Sequence, residues 1–287
     1  MGVQQAEVDS VGRITEILSQ EAPISGKNII LTLDYGLQSY VSELMNDRAG
    51  AVVVLDNNDS SVLAMYSAPT YDINYWAPFM SNENWAKLNN DPKKPLLNRA
   101  VEGAYPPGSV FKVLVALAGL SEGIITPDTE YVCNGSYRFG NTEHRCWRAG
   151  GHGHISLRRA LAESCDVYFY NLGVAIGIDK LHEYAIKYGL GHLSGIDLPN
   201  EKTGIFPSKA WKQRVLNEPW WPGETVNISI GQGYTTTTPL QIAVMYASIF
   251  NGGTAYVPRI VDAYEDPYTG ERTQLPAKVL SSNPIDP

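Results

Sequence analysis

Ser109 and Lys112 are the two residues of this chain whose types and spacing most directly suggest covalent chemistry. Residues 106–108, Pro-Pro-Gly, break the chain just before the serine. We therefore expect its hydroxyl at a helix N-terminus, where the helix dipole and free N–H groups favour developing negative charge. The lysine follows three positions later, so both side chains share one helical face within hydrogen-bond reach. Burial on an apolar helix disfavours the ammonium and favours an amine that accepts a proton. The pair fits a serine nucleophile with an adjacent base; the alternative is a helix cap beside a lysine that extends to solvent.

A second motif strengthens this interpretation. Ser164-Cys165-Asp166 lies 55 positions after Ser109. With both motifs present, the chain resembles the serine penicillin-recognising enzymes, whose signature set is Ser-x-x-Lys, a Ser-x-Asn type triplet and Lys-Thr-Gly. It resembles more narrowly the class B penicillin-binding proteins of the elongation type, known as penicillin-binding protein 2. The closer match rests on residues 97–100, 105–109, 220–223, 230–234 and 238–241.

The resemblance implies an α+β fold (an α/β sandwich) of the β-lactamase/transpeptidase type. This fold has an antiparallel sheet with flanking helices and an all-helical subdomain that carries the active-site serines. Residues 1–27 would be the tail of a preceding pedestal or linker segment, and residues 28–287 a penicillin-binding transpeptidase domain that lacks its final strands. We expect the protein at the outer, periplasmic face of the cytoplasmic membrane, anchored by a segment absent from this chain.

The same resemblance implies a peptidoglycan D,D-transpeptidase that needs no cofactor for catalysis. Ser109 would attack the penultimate D-Ala carbonyl of a stem peptide, and Lys112 would accept the hydroxyl proton. Ser164 would relay a proton toward the leaving group. Asp166 would hydrogen-bond the substrate backbone or Lys112; it departs from the commoner Asn, and its other interpretation is a helix N-cap. An amine of a neighbouring stem would resolve the acyl-enzyme, whereas a β-lactam would trap it.

The implied partners are peptidoglycan stem peptides, β-lactam antibiotics and, in the full-length protein, a membrane-embedded glycosyltransferase, in a pathway that maintains cell shape. Other function classes share parts of the site: a penicillin-recognising sensor module, a serine β-lactamase and an inactive scaffold fragment. The β-lactamase needs a base for its deacylating water, and neither Glu163 nor Glu201 is a clear candidate. Nucleic acid is not an expected partner, because 30 acidic residues exceed 22 basic ones and no Lys/Arg cluster supplies a basic face.

Lys202-Thr203-Gly204 spells the third triplet of the family, but its surroundings predict a loop. In the family this triplet lies on an inner strand, where its lysine binds the substrate carboxylate. Here Pro199 and Pro207 flank the triplet, and polar and apolar residues do not alternate. No other such triplet follows downstream, so we expect part of the carboxylate site to lie outside this chain. The activity of this chain is therefore left open.

Three cysteines and a histidine have the donor types of a closed tetrahedral zinc site. The candidate ligands are separated by twelve, five and twelve residues: Cys133, Cys146, His152 and Cys165. The resemblance adds that some elongation-type relatives are thought to carry a structural zinc in this region. Two alternatives stay open, a Cys133–Cys146 disulfide and unpaired core thiols. His144 and His154 are alternative ligands.

Several predicted elements must position these residues. Asp34 is placed to cap a helix that ends near Met45, and a hairpin of two strand-like runs, 51–55 and 61–66, follows. Residues 69–95 lack periodicity and are predicted to be a long surface excursion. The sequence around the first two cysteines is predicted to be loop. Most tryptophans are predicted to be packing residues, and the alternative is that they line a substrate groove: Trp76, Trp147, Trp211, Trp220 and Trp221. Further helices are expected at 110–118, 157–162, 168–176, 179–188 and 238–250.

Overall fold

The computed structural model describes residues 2–46, 48–77 and 79–285. Its backbone contacts divide the chain into two compact units. The first contains Met1–Thr32 and Val261–Pro276, and the second contains Leu33–Ile260 and Ala277–Pro287. All the candidate catalytic and metal-binding residues belong to the second unit. Within the described ranges, no helix combines the length and the apolar character that crossing a membrane requires.

The strands of the described residues, numbered in chain order, are β1 (Val3–Val8), β2 (Ile14–Glu21), β3 (Asn28–Leu31), β4 (Gly50–Leu55), β5 (Val62–Ala68), β6 (Glu130–Cys133), β7 (Ser136–Phe139), β8 (Thr142–Arg145), β9 (Gly153–Ser156), β10 (Thr254–Tyr256), β11 (Val261–Glu265), β12 (Arg272–Gln274) and β13 (Val279–Ser282). The α-helices are α1 (Tyr35–Leu44), α2 (Asn82–Asn89), α3 (Lys112–Ser121), α4 (Leu157–Ala162), α5 (Asp166–Ile176), α6 (Ile178–Lys187), α7 (Lys209–Leu216), α8 (Pro222–Ile228) and α9 (Pro239–Phe250). The ladders between these strands are antiparallel.

The first unit consists of a hairpin and a three-stranded sheet. β1 pairs with β2, and β11 lies between β12 and β3. Ala263 of β11 pairs with Ile30 on one side and with Gln274 on the other. The sheet therefore joins two segments that are far apart in the sequence.

In the second unit, helices pack on the β4–β5 hairpin. The Asp34 carboxylate accepts the Leu37 N–H at 2.8 Å and so caps α1 as predicted. α1 packs on β5, and α9 packs on β4. α9 begins with a capping box formed by Thr238 and Gln241, with Pro239 in its first turn. Helices on an antiparallel hairpin agree with the predicted α+β class.

A largely helical region around α5 carries the candidate catalytic residues. α5 packs against α3, α6 and α8, and seven of its eleven residues are buried. Burial on nearly all sides explains its apolar sequence. Gly173 allows α5 and α8 to approach closely, because a Cβ there would lie 2.2 Å from the Cβ of Ser229. This packing brings Asp166, in the first turn of α5, next to Lys112, in the first turn of α3.

Residues 69–95 are more regular than the sequence predicts. They contain a 3₁₀ helix, Ile73–Trp76, and the two-turn helix α2. Ser81 caps α2, since its hydroxyl accepts the Asn84 N–H at 3.1 Å. The stretch is mostly exposed, in agreement with the predicted surface excursion, but two turns rich in polar and aromatic residues are too short to show a helical period, so the sequence did not indicate these helices.

The sequence around the candidate metal ligands also contains more structure than predicted. Cys133 is the last residue of β6, and Cys146 follows β8 directly. These strands have only four residues each, a length at which alternation cannot be distinguished from loop sequence. In addition, α3 begins at Lys112, and Ser109 lies in a preceding 3₁₀ turn, Gly108–Phe111.

Candidate active site

Ser109 lies in the 3₁₀ turn before α3 and is exposed in a cleft. This turn contacts the segment that follows α8, because the Gly108 N–H donates to the Gly231 carbonyl at 2.9 Å. Gly231 has a φ of 70°, and a Cβ there would lie 2.4 Å from the Gly108 oxygen. Glycine adopts this conformation freely and leaves room for the close approach. The Gly-Gln-Gly stretch therefore supports the turn that carries the candidate nucleophile.

A continuous series of hydrogen bonds connects Ser109 to Asp166. The Ser164 hydroxyl donates to Ser109 Oγ at 2.9 Å. Lys112 Nζ donates to Ser164 Oγ at 3.1 Å, to the Ser164 carbonyl at 2.9 Å and to Asp166 Oδ1 at 2.6 Å. Three acceptors match the three N–H groups of an ammonium. The structure thus brings together all four residues that the sequence singled out for catalysis and substrate binding.

Ser164 stands between the candidate nucleophile and the lysine. The three-residue spacing predicts that Ser109 and Lys112 lie within hydrogen-bond reach, but the described residues include no direct hydrogen bond between them. Lys112 is only 2 % exposed, and the acceptors that satisfy its charge lie on the segment from Ser164 to Asp166. The hydrogen-bonded path from Ser109 to the amine therefore passes through the second hydroxyl.

The Lys112–Asp166 ion pair is the main electrostatic feature of the site. The two side chains are 2 % and 13 % exposed, so each charge depends on the other for compensation. The ring of Phe169 has its centroid 5.5 Å from Lys112 Nζ and adds a cation–π contact. Asp166 Oδ2 accepts the backbone N–H of Trp147 at 3.0 Å. The carboxylate is held from both sides and orients the lysine.

The cleft has a volume of about 540 Å³, and several of its lining residues were not assigned to the site from sequence. It is lined by Ser109, Ser164 and Asp166 together with Arg145, Cys146, Trp147, Tyr170, Ile230 and Gln232. The sequence signal that could have placed Gln232 near the site is the pair of glycines that flank it, since such glycines mark a segment whose backbone approaches another segment closely. Trp147 lines this cleft, whereas Trp211 lines a different pocket.

Four buried side chains form a compact group beside the cleft. Their ligand atoms all lie within 4.8 Å of one another: Cys133, Cys146, His152 and Cys165. His152 Nδ1 lies 3.5 Å from Cys133 Sγ and 3.6 Å from Cys146 Sγ. Tetrahedral zinc, with Zn–S of about 2.3 Å and Zn–N of about 2.0–2.1 Å, places sulfur and nitrogen ligands about 3.6 Å apart. The three thiols are free, and the donor set and its spacing fit zinc.

The two alternative histidine ligands lie outside this group. The ring of His144 packs on Tyr170 with the centroids 5.7 Å apart. His154 is 76 % exposed, and its Nδ1 lies 3.7 Å from the Glu130 carboxylate. The pairing of β9 with β6 places Cys133 opposite Gly153, so the side chain at the next position faces away from the thiols.

The thiols of the group differ in how readily they ionise. Burial raises the pKa of Cys165 to about 12. Burial also opposes ionisation of Cys146, but backbone hydrogen bonds, first among them that of Arg148, lower its pKa overall. Burial lowers the pKa of His152 and so favours the neutral imidazole, which is the form that binds metals.

The family model for the penicillin binding protein transpeptidase domain matches residues 50–287 of this chain. The chain belongs to this family. A curated relative, the peptidoglycan D,D-transpeptidase MrdA of Escherichia coli strain K12, is 40% identical over 262 residues, which cover 91% of this chain and 41% of the relative. The chain thus spans about two fifths of the length of that relative.

Solved structures of relatives have the same fold. The PBP2 of Pseudomonas aeruginosa in complex with WCK 5153 matches with a TM-score of 0.82 and 37% identity, over 92% of this chain and 58% of the other. The penicillin G acyl-enzyme complex of penicillin-binding protein A from M. tuberculosis matches with a TM-score of 0.78 and 26% identity, over 90% of this chain and 60% of the other. The predicted resemblance and the β-lactamase/transpeptidase-like fold are confirmed.

The triplet Lys202-Thr203-Gly204 does not line the cleft of the candidate nucleophile. It lies in irregular chain, as predicted, and Lys202 is exposed. Thr203 and Gly204 line a separate pocket with Trp211.

Proposed function

We propose that this chain is the catalytic part of a peptidoglycan D,D-transpeptidase, with Ser109 as the residue that becomes acylated. The observation that carries the proposal is the hydrogen-bonded series from Ser109 Oγ through Ser164 Oγ (2.9 Å) to Lys112 Nζ (3.1 Å), at the surface of an open cleft. A hydroxyl with an amine reached through a second hydroxyl has the parts required for nucleophilic acyl transfer. Family membership and the curated relative described as a D,D-transpeptidase add support.

In the proposed acylation step, Ser109 Oγ attacks the penultimate D-Ala carbonyl of a stem peptide. The ammonium of Lys112 first releases one proton to solvent, which leaves an amine that can act as the base. The proton of Ser109 then passes to Ser164 Oγ, which gives its own proton to this amine. The peptide bond then breaks, and the amine of the terminal D-Ala leaves with a proton returned through Ser164. Asp166 holds the lysine in line with the second hydroxyl through the 2.6 Å contact.

Deacylation reverses this proton path. The amine of a neighbouring stem peptide attacks the Ser109 ester and loses a proton through Ser164 to Lys112. The ester bond breaks, an amide cross-link forms, and the proton returns to Ser109. A β-lactam presents an amide carbonyl in the same position, and opening its ring leaves no departing amine, so the adduct persists. The penicillin G acyl-enzyme of the mycobacterial relative supports this part of the proposal.

Labelling with a fluorescent penicillin tests the acylation step. The wild-type chain is expected to form a covalent adduct that survives denaturation, and Ser109→Ala to form none. Ser10→Ala, which changes an exposed serine in a turn of the first unit, is the matched control and should label like wild type. Labelling of Ser109→Ala would assign the chemistry to another nucleophile and contradict the proposal.

The lifetime of the adduct separates the other function classes. A transpeptidase or a sensor keeps the label, whereas a β-lactamase hydrolyses it rapidly. Cross-linking of a stem peptide to an acceptor amine is expected from a transpeptidase and not from a sensor. A chain that neither labels nor cross-links would be a scaffold or an inactive fragment.

We further propose the location and partners that the family resemblance implies. The protein would act at the periplasmic face of the cytoplasmic membrane on peptidoglycan stem peptides, be inhibited by β-lactams and work beside a membrane-embedded glycosyltransferase. Within it, residues 28–287 would form the transpeptidase domain and residues 1–27 the end of a pedestal or linker. Cross-linking in cells tests the proposed glycosyltransferase partner. A cross-linking group is placed at a surface position such as Trp85, and the captured protein is identified.

A structural zinc held by the four-residue group is a separate proposal. Bound zinc would supply only a closed tetrahedral link among β6, the end of β8 and the start of α5, with no step in acyl transfer. Its ligands would be Cys133, Cys146, His152 and Cys165. Metal analysis of the purified protein should find about one zinc per chain, and Cys133→Ser should lose it. Two missing thiols in a denatured thiol count would instead indicate a disulfide.

A further inference from the structure

Ser164 has an unfavourable backbone conformation that neighbouring groups must hold. Its φ is 51°, in the left-handed region, where the Cβ of any residue other than glycine is crowded by the following carbonyl. Its own N–H makes only a long contact, 3.3 Å, with the Leu161 carbonyl. The proposed reaction requires this residue to present its hydroxyl to Ser109 and its carbonyl to Lys112 at the same time. The turn therefore depends on contacts from outside it.

Trp147 provides three of these contacts. Its indole Nε1 donates to the Glu163 carbonyl at 3.0 Å and to the Ser164 carbonyl at 3.1 Å. Its backbone N–H donates to Asp166 Oδ2 at 3.0 Å. The residue is nevertheless 64 % exposed. A tryptophan whose role was packing would be buried, so its hydrogen bonds to the turn explain its position better than burial does.

Trp147 also connects the turn to the buried thiol group. It follows Cys146 directly, and its ring lies edge-on to His152 with the centroids 5.5 Å apart. The turn that Trp147 contacts also includes a residue of this group, because Cys165 lies between Ser164 and Asp166 in the chain. Trp147 and the turn are thus both attached to the same buried group, which limits their movement relative to each other.

We propose that Trp147 is a positioning residue for acylation. Its indole N–H holds the carbonyls of Glu163 and Ser164, and this keeps Ser164 Oγ between Ser109 and Lys112. Trp147 acts through Ser164 and not on the reacting atoms. The inference rests on the proposed function and adds to it a residue outside the two catalytic motifs.

Trp147→Phe removes the indole N–H and keeps an aromatic ring. With a fluorescent penicillin, we expect the first-order acylation rate constant to fall about tenfold, the effect of one hydrogen bond of ordinary strength. The dissociation constant of the noncovalent complex and the fraction of protein that finally labels should stay unchanged. Trp85→Phe is the matched control: Trp85 is also exposed, at 46 %, but lies in α2 outside the cleft.

Tryptophan analogues separate the N–H group from the ring shape. Benzothienylalanine at position 147 keeps the bicyclic shape without the N–H and should acylate as slowly as Trp147→Phe. Fluorotryptophan keeps the N–H and should acylate like wild type. Wild-type rate constants for both variants that lack the N–H would overturn the proposal. So would a lower melting temperature with an unchanged rate constant, which indicates a merely structural role.

Hydrogen exchange provides a readout that does not depend on acylation. The Cys165 N–H donates to the Ala160 carbonyl at 2.9 Å next to the turn. Its exchange should accelerate about tenfold in Trp147→Phe and stay unchanged in Trp85→Phe. Unchanged exchange in Trp147→Phe contradicts the positioning role. If the wild-type chain does not label with penicillin, the proposed function fails, and this exchange experiment still decides the role of Trp147.

Discussion

Gly231→Ala tests whether the segment after α8 positions the candidate nucleophile. A Cβ at this position would lie 2.4 Å from the Gly108 oxygen and 2.8 Å from the Gly108 nitrogen. Ordinary contact distances require these backbone atoms to separate by roughly 1 Å. Gly108 precedes Ser109 directly, so the displacement reaches the nucleophile turn.

Two costs set the magnitude. Alanine in the left-handed region costs about 1 kcal/mol relative to glycine. Loss of the 2.9 Å hydrogen bond from the Gly108 N–H to the Gly231 carbonyl costs about 1–1.5 kcal/mol. Gly231→Ala should therefore lower the free energy of unfolding by about 2–2.5 kcal/mol. The acylation rate should fall roughly 10- to 100-fold, because a 1 Å misplacement of a reacting group has an effect of this size.

Gly123→Ala is the matched control. Gly123 has a φ of 66°, close to the 70° of Gly231, but a Cβ there meets no atom within 4 Å. The control should lose about 1 kcal/mol and acylate like wild type. Urea unfolding gives the stabilities, and rapid-quench labelling with a fluorescent penicillin gives the rates. Equal stability and equal acylation rates for the two variants would refute the reasoning.

Three further predictions concern charged groups. Asp166→Asn removes the partner of a lysine that is 2 % exposed and should lower the free energy of unfolding by about 3 kcal/mol in a urea titration; an unchanged value would show that the ion pair is not needed. Lys202→Ala should leave the rate of penicillin labelling unchanged, and a large decrease would contradict the loop assignment. Burial opposes ionisation of Asp59, but hydrogen bonds from Ser61 and Arg259 lower its pKa below the ordinary value of 3.8. The carboxylate therefore stabilises the fold above that value and loses this effect as the pH falls through its lowered pKa. At pH 7, Asp59→Asn should have a free energy of unfolding about 1 kcal/mol lower than wild type. At a pH below the lowered pKa of Asp59 the difference should be smaller. Melting curves at the two pH values measure both differences.

Structural features that depend on residues close together in the sequence were predictable from the sequence alone. The helix starts at Asp34 and Thr238 have caps within four positions, and the β4–β5 hairpin has a run of mainly apolar residues on each side of a polar turn. Each of these signals acts over a few residues, and the structure confirms them. Short elements such as α2 and β6 carry too few residues for a period and were missed.

The candidate catalytic motifs were recognised as a set, but the residue types in them did not show how they contact one another. Ser109 and Ser164 are 55 positions apart and meet at 2.9 Å because α3 and α5 pack together. The spacing of Ser109 and Lys112 predicts a direct contact, and burial of the lysine turns its amine toward Ser164 instead. The direction of a buried side chain such as that of Lys112 depends on which hydrogen-bond acceptors the packed helices offer. The helical period of the sequence does not indicate where those acceptors lie.

The contacts of Trp147 and Gly231 could be found only in three dimensions. Trp147 contacts the candidate catalytic turn at Ser164, 17 residues further along the chain, through its indole N–H. The absence of a Cβ at Gly231 lets that residue contact Gly108, next to the candidate nucleophile. The glycines around Gln232 indicate a close backbone approach, but no local pattern identifies the partner of either residue, because each contact forms between two segments that become neighbours only after the core has packed. Residue types and short-range spacing therefore define which chemistry this chain carries, and packing between distant segments defines the geometry in which its groups meet.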